Sequence, residues 1–343
     1  MSGRILVTGG AGFIGSAVCR RLISDTDCQV LNLDKLTYAG NLKSVQLIAE
    51  DPRYTFVRGD ICDATLVSRL LNDFRPDAIM HLAAETHVDR SIAASREFIQ
   101  TNVMGTHVML QASLDYFERM DAWRQSQFRF LAVSTDEVFG TLGEKGAFDE
   151  TSAYAPRSPY SASKAASDHL ARAWYATYEL PVVVSNCSNN YGPYQYPEKL
   201  IPLMITNAMR GKSLPVYGTG ANVRDWLHVD DHAEALVMLV RDGLPGETYC
   251  IGGGEERANL DVVRQICSLL DKIVPRSNGQ GYDELISFVE DRRGHDYRYA
   301  IDDTKMRETF DWTPKRSFES GLEETVRWYL EKGAWWSGQG QVS

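Results

Sequence analysis

The chain has 343 residues, 43% hydrophobic and 24% charged, enough for a sizeable buried core in one large domain or two modest ones. Its formal net charge of −10 argues against a nucleic-acid or anionic-membrane surface, both of which need a basic field. No stretch reaches the roughly eighteen apolar residues of a membrane span, and the 6 cysteines form no CxxC pair, so a cytoplasmic protein with reduced thiols and no metal cluster is expected.

Taken in chain order, short β-branched runs at 4–8, 29–33, 54–58, 77–83, 128–134 and 181–185 alternate with helical patterns at 13–24, 64–73, 95–117 and 160–178. Near-continuous apolar strands of this kind suit a parallel sheet covered on both faces, and the repeated βα units predict a doubly wound α/β fold with ligands at the strands' carboxyl ends. From about residue 190 the composition turns rich in Pro, Gly, Tyr and polar residues, as in SNNYGPYQYPEKLIP, which reads as a smaller α/β substrate domain. Helical periodicity with an acidic first turn returns at 229–241. The expected division is therefore a cofactor domain over 1–189, with 226–257 packing back onto it, and a mainly substrate-binding domain over 190–343.

The first turn, TGGAGFIG, sets Gly9, Gly12 and Gly15 directly after the first strand and at the mouth of the first helix. Amides there, including those of Phe13 and Ile14, can approach a pyrophosphate that a Cβ would hold away, and the helix N-terminus faces it. The spacing is G-x-x-G-x-x-G, so the context decides. The second strand ends at Asp34, where a carboxylate can accept from both ribose hydroxyls of a dinucleotide and would repel a 2′-phosphate. NAD is expected over NADP on this ground, giving a Rossmann-like cofactor half in which Lys35, Leu36 and Thr37 continue the site. Asp60 and Ile61 follow the third strand, and Leu82, Ala83, Ala84, Glu85 and Thr86 the fourth, where adenine and the nicotinamide ribose would lie. Asp60 has an alternative reading as a helix N-cap.

Tyr160 and Lys164 form YSASK at the start of a helix, and their four-residue spacing puts both on one face, with the lysine placed to favour a phenolate. Such a phenolate can take a proton from a hydroxyl as hydride leaves. After the fifth strand come Ser134, Thr135, Asp136 and Glu137. A hydroxyl there can hold the oxygen being oxidised, and the adjacent carboxyls supply what an elimination needs and a simple oxidation does not. One must be protonated to help a hydroxide leave while the other, ionised, removes a carbon-bound proton. The alternative is a pair of capping carboxylates on a loop.

Together TGGAGFIG, LAAETHVDRSI, TNVMGT, VSTDEVFG, SPYSASK, SNNYGPYQYPEKLIP, RDWLHVDDH and DRRGHDYRYAID resemble the dTDP-glucose 4,6-dehydratases of the extended short-chain dehydrogenase/reductase superfamily over almost the whole chain. The resemblance implies that Tyr160 deprotonates the sugar 4-hydroxyl while C4 hydride passes to NAD and Thr135 holds the keto oxygen. Glu137 would then remove the C5 proton and Asp136 protonate the departing C6 hydroxyl, and return of hydride would give a 4-keto-6-deoxy sugar with NAD recycled in place. It further implies NAD contacts from Thr101, Tyr160, Lys164 and Asn190. A nucleotide-sugar site would comprise Thr86, Thr135, Asn189, Lys199, Leu200, Pro215, Val216, Tyr217, Arg224, Asn259, Asp291, Arg292, Arg293, Gly294 and His295. Lys199, Arg224 and Arg292 can neutralise a diphosphate in an otherwise acidic protein, and Tyr217 can stack on the base. A homodimer built on the helices at 95–117 and 160–178 is implied as well. Three positions depart from the family pattern: Arg293 stands where proline is usual, Thr86 where serine is, and Asn186 where an arginine is common, the last with no physical account from the sequence.

The rivals are a UDP-sugar epimerase, which has no use for the carboxyl pair, another UDP- or GDP-sugar dehydratase, and a silent NAD-binding protein, which has no need of the full reactive set. A metal hydrolase is suggested by His228 and His232 with Asp230 and Asp231, but no HExxH arrangement is present and a polar helix start explains the segment; no metal is expected.

Overall fold

Ile5, Leu6 and Val7 are all buried, although alternate residues of a strand point to opposite faces, so their strand is covered on both sides. The computed structural model describes residues 1–292 and 294–336, which leaves Arg293 outside the described residues. Its strands are β1 (Ser2–Thr8), β2 (Asp27–Asp34), β3 (Tyr54–Arg58), β4 (Ala78–His81), β5 (Arg129–Thr135), β6 (Val182–Cys187), β7 (Asn189–Tyr191), β8 (Leu214–Tyr217), β9 (Val223–His228), β10 (Thr248–Ile251), β11 (Glu256–Ala258) and β12 (Ile286–Val289). Seven form one parallel sheet in the order β10-β6-β5-β4-β1-β2-β3, and the rest form a three-stranded sheet, β11-β9-β7, and a two-stranded one, β12-β8. The expected doubly wound α/β architecture with smaller C-terminal sheets is what the chain adopts. The order of the main sheet reverses beside β1, and at such a switch point a ligand crevice opens at the carboxyl ends.

The crossover helices are α1 (Phe13–Asp25), α2 (Ala64–Phe74), α3 (Val88–Ala93), α4 (Ser95–Phe98), α5 (Thr106–Phe117), α6 (Ala122–Gln127) and α7 (Pro159–Tyr178). Asp63 accepts from the Leu66 amide and starts α2. α7 opens on a reciprocal cap, with Ser158 and Ser161 each accepting the other's amide at 3.0 Å and Pro159 in the first turn, so its register is fixed before Tyr160 appears. The C-terminal part adds α8 (Leu200–Met209), α9 (Val229–Asp242), α10 (Asn259–Ile273), α11 (Thr304–Phe310) and α12 (Phe318–Glu331). α9 lies against α1, sharing a core of Val18, Leu22, Leu236 and Val240, and β10 pairs with β6. A second core of Tyr191, Trp226, Val262, Phe318 and Tyr329 holds the small sheets to α10 and α12.

One helix expected over 95–117 is interrupted by a π-helical turn, Ile99–Gly105. Its cause is Asn102, buried at 1% exposure, which accepts from the Glu85 amide at 2.8 Å and donates to the Glu85 carbonyl at 3.0 Å and to Ser163 Oγ at 2.8 Å. Its own carbonyl accepts from Thr106 Oγ1 and Ser167 Oγ. The extra residue in the turn thus fastens the segment after β4 to α7. Asn102→Ala leaves the Glu85 backbone groups without those partners and is expected to destabilise the protein by about 1–3 kcal/mol, read as a lower denaturant midpoint at unchanged slope.

Candidate active site

The cofactor half of the site rests on a turn with no room for a side chain at Gly9 or Gly15. Gly9 has φ +75°, and a Cβ there would come within 2.8 Å of the Ala83 backbone, while one at Gly15 would overlap the Gly9 carbonyl oxygen. Gly12 caps α1 with no side-chain hydrogen bond, so the first amides of that helix stay available to an anion. Asp34 accepts from the Ala11 amide at 2.9 Å and the Leu36 amide at 2.8 Å, and these bonds hold the glycine turn and the next loop around one carboxylate. Gly9, Gly12, Phe13, Ile14, Gly15, Asp34, Lys35, Thr37, Asp60, Ile61, Leu82 to Thr86, Thr101, Tyr160, Lys164 and Asn190 all line one elongated cleft. Leu36 does not; it takes a left-handed conformation, φ 56°, with its amide turned to Asp34. Asp60 is no helix cap either, since Asp63 has that role; it pairs with Lys35 at 2.7 Å across the ends of β2 and β3. These residues fit an NAD molecule with its pyrophosphate on α1.

A cluster that the sequence did not suggest closes over this cleft. Arg90 lies 3.7 Å over the Tyr38 ring and 3.4 Å from Glu198, and Tyr38 meets Tyr196 edge-on at 5.5 Å. His232 bonds the Asn190 amide oxygen at 2.9 Å, and His228 caps α9 through the Asp230 amide. Arg316 pairs with Asp230, Asp231 and Glu324, so the polar groups around His228 are tied to a guanidinium.

The reactive groups meet where β5 ends. Thr135 Oγ1 lies 3.2 Å from Asp136 Oδ1, and Lys164 Nζ donates to the Val133 carbonyl at 2.9 Å. Asp136 is 1% exposed and its Oδ2 has no hydrogen-bond partner within the protein. Burial pushes its carboxyl well above the usual carboxylate range, and Glu137 and Asp225 push it the same way. Burial also raises Glu137, but the cations Lys199, Arg224 and Arg292 oppose the shift. The two neighbouring carboxyls therefore sit in unequal fields, with the proton favoured on Asp136. Tyr160 departs from the simple expectation that Lys164 favours its phenolate. Burial first, then Glu137 and Cys187, push the phenol well up, while burial lowers Lys164.

A second cavity of about 800 Å³ opens beside the cleft, lined by Asn189, Lys199, Leu200, Pro215, Val216, Tyr217, Arg224, Asn259, Arg292, Gly294 and His295. Glu137, Asn189, Tyr196, Glu198 and Lys199 line both spaces, so Glu137 stands at their junction. Thr86 and Thr135 face it from the cofactor side, and Lys199 Nζ donates to the Thr86 carbonyl at 2.9 Å. The amide oxygens of Asn189 and Asn259 are buried without partners within the protein. Arg292 is held by a two-point ion pair with Asp89, at 2.6 and 2.9 Å, and stacks at 5.2 Å on Tyr217. Asp291 does not line the cavity; its carboxylate holds His295 Nδ1 at 2.6 Å.

The model of the GDP-mannose 4,6 dehydratase family matches residues 6–325. The chain is 57% identical to the dTDP-glucose 4,6-dehydratase of Neisseria meningitidis, across 97% of this chain and 95% of that one. It belongs to the dTDP-glucose 4,6-dehydratase family. A family member from Streptomyces venezuelae, solved with NAD and the ligand TYD bound, superposes with a TM-score of 0.89 at 45% identity, covering 98% of this chain and 100% of that one. The dTDP-glucose 4,6-dehydratase of Bacillus anthracis in complex with NAD gives 0.87 at 46% identity, covering 98% and 99%. Both of these structures were solved with NAD bound, the dinucleotide that the residues around the glycine turn fit.

The raised carboxyl of Asp136 has a consequence for stability. An unfolded aspartate titrates near about 3.9, so above that pH the folded chain keeps a proton that the unfolded chain has lost. The associated stability is fully present below the unfolded value and is lost as pH rises through the folded one. Asp136→Asn should therefore gain denaturant resistance over the parent progressively as pH rises above about 4; a constant difference would contradict a protonated Asp136.

Proposed function

We propose that this protein converts dTDP-glucose to dTDP-4-keto-6-deoxyglucose and water, with NAD retained and recycled. The observation that carries the reading is the unequal carboxyl pair, Asp136 and Glu137, at the junction of a dinucleotide cleft and a cation-lined cavity. NAD supplies the redox chemistry, accepting hydride from C4 and returning it to C6. Tyr160, whose buried phenol must first be ionised, takes the proton of the 4-hydroxyl, Lys164 supplies a positive charge from the same face of α7, and Thr135 holds the oxygen as it becomes a ketone. The ketone acidifies C5, from which Glu137 removes the proton, Asp136 gives its own proton to the departing C6 hydroxyl, and as hydride returns to C6 the proton held on Glu137 returns to C5. Lys199, Arg224 and Arg292 hold the diphosphate, Tyr217 stacks on the base, and Asn189 and Asn259 offer the substrate their unpaired amide oxygens.

Residues 1–189 together with 226–257 form the cofactor half in this reading, and most of the remainder forms the nucleotide-sugar half. The enzyme works in the cytoplasm as a homodimer. Ile92, Ile99 and Met104 on the 88–105 segment and Tyr175 and Tyr178 on α7 are large apolar side chains left between 39% and 48% exposed, a surface suited to a partner copy. No helix among the described residues is long and apolar enough to cross a membrane. Sedimentation should give twice the 38.5 kDa of one chain, and Ile99→Asp should return it to one.

Purified protein given no added cofactor should convert dTDP-glucose to a product lighter by one water, without net reduced nicotinamide. Parallel assay of UDP-glucose reads the nucleotide preference, and no water loss from either substrate even with added NAD would overturn the function. Glu137→Gln should stop elimination and accumulate reduced cofactor on mixing with substrate. Tyr160→Phe should slow its formation by about 10²–10⁴-fold.

A further inference from the structure

α7 carries Tyr160, Lys164 and Asp168 at successive four-residue steps, so the three stand one above another on a single face. The first two act in the reaction proposed above; the third lines neither cavity. Asp168 is 1% exposed, and three side chains from three places in the fold donate to its Oδ2. They are Ser134 Oγ of β5 at 2.7 Å, the Tyr154 hydroxyl before α7 at 2.8 Å, and Asn186 Nδ2 of β6 at 3.3 Å. Asn186 Nδ2 also donates to the Thr135 carbonyl at 3.0 Å, and Lys164 reaches the Val133 carbonyl at 2.9 Å. Arg172 closes the outer side by donating to the Tyr154 hydroxyl at 2.8 Å and Thr248 Oγ1 at 3.2 Å.

Three consecutive residues of β5, Val133 to Thr135, are therefore tied by side chains to α7 or β6 in addition to their sheet bonds. A carboxylate taken out of water costs several kcal/mol unless its charge and lone pairs are met. Here they are met by a set of donors that converges behind Thr135, with Lys164 one helical turn away. Burial lowers the Lys164 ammonium and Asp168 opposes that shift; burial raises Asp168 and Lys164 opposes it in turn.

We propose that Asp168 is a positioning residue for the redox half of the reaction. It locks α7 to the ends of β5 and β6 so that the Tyr160 phenol and the Thr135 hydroxyl meet the same substrate oxygen, and it balances the Lys164 charge. The inference rests on the dehydratase reading. It is tested in the NAD-loaded full chain carrying Glu137→Gln, where elimination is blocked and reduced nicotinamide builds up on mixing with dTDP-glucose. Adding Asp168→Asn should slow that build-up by about 100-fold, the scale of a small misplacement of reacting groups, while dTDP affinity by calorimetry changes less than about twofold. Ser134→Ala and Asn186→Ala, which remove one bond each, should show the same split at about 3- to 10-fold and carry the test if Asp168→Asn does not fold. A build-up rate within about twofold of the Glu137→Gln protein, or dTDP affinity falling in step with the rate, overturns the role. If the Glu137→Gln protein itself forms no reduced nicotinamide, the dehydratase reading fails instead.

Discussion

Exclusion of water from the end of β5 is the condition on which the chemistry depends. Burial alone pushes both carboxyls and the Tyr160 phenol up and the Lys164 ammonium down, toward the neutral forms. What differentiates them is the company each keeps. Glu137 feels three cations, Lys199, Arg224 and Arg292, against Asp296, whereas Asp136 feels Glu137 and Asp225 ahead of Arg224 alone. Two adjacent residues at one strand end thereby receive unequal protonation tendencies, as an acid and a base drawn from one short segment require.

The same dryness explains the placement of cations in a chain of net charge −10. A diphosphate approaching such a protein meets a repulsive field except where positive groups gather, and here they gather on the wall opposite the glycine turn. Arg292 is itself paired with Asp89. On the proposed reading, phosphate oxygens reaching Arg292 would have to share its guanidinium with the Asp89 carboxylate or displace it.

The local signals were legible in the sequence because their chemistry is carried by neighbours along the chain. The glycine turn with Asp34, the Tyr160–Lys164 pair and the Thr135–Glu137 run all needed only a strand end or one helix turn to be placed. The residues that hold them in register were not legible. Asn102 reads as one polar residue in an apolar helix, and nothing in its surroundings announces partners at Glu85 and Ser163. Asp168 follows Lys164 at helical spacing, yet its donors come from 134, 154 and 186, which only the folded topology assembles. Arg90 of α3 and Tyr38 of the loop after β2 likewise meet only in the folded chain. Asp291 and Leu36 adjoin lining residues without lining the cavities themselves, because adjacency does not say which way a loop side chain or amide turns.

The return of β10 to the main sheet bears on how the chain is made. Until residues 248–251 leave the ribosome, β6 is the outer strand of the nascent sheet, and Val182, Val183 and Val184, all buried in the finished protein, lack their cover. An uncovered apolar strand edge invites pairing with other chains. Sixty residues separate β6 from its partner, so the interval of exposure is set by translation speed across residues 188–247. Slow codons in that stretch would lengthen the period in which a half-made chain can aggregate, and a chaperone that shields β6 would shorten it.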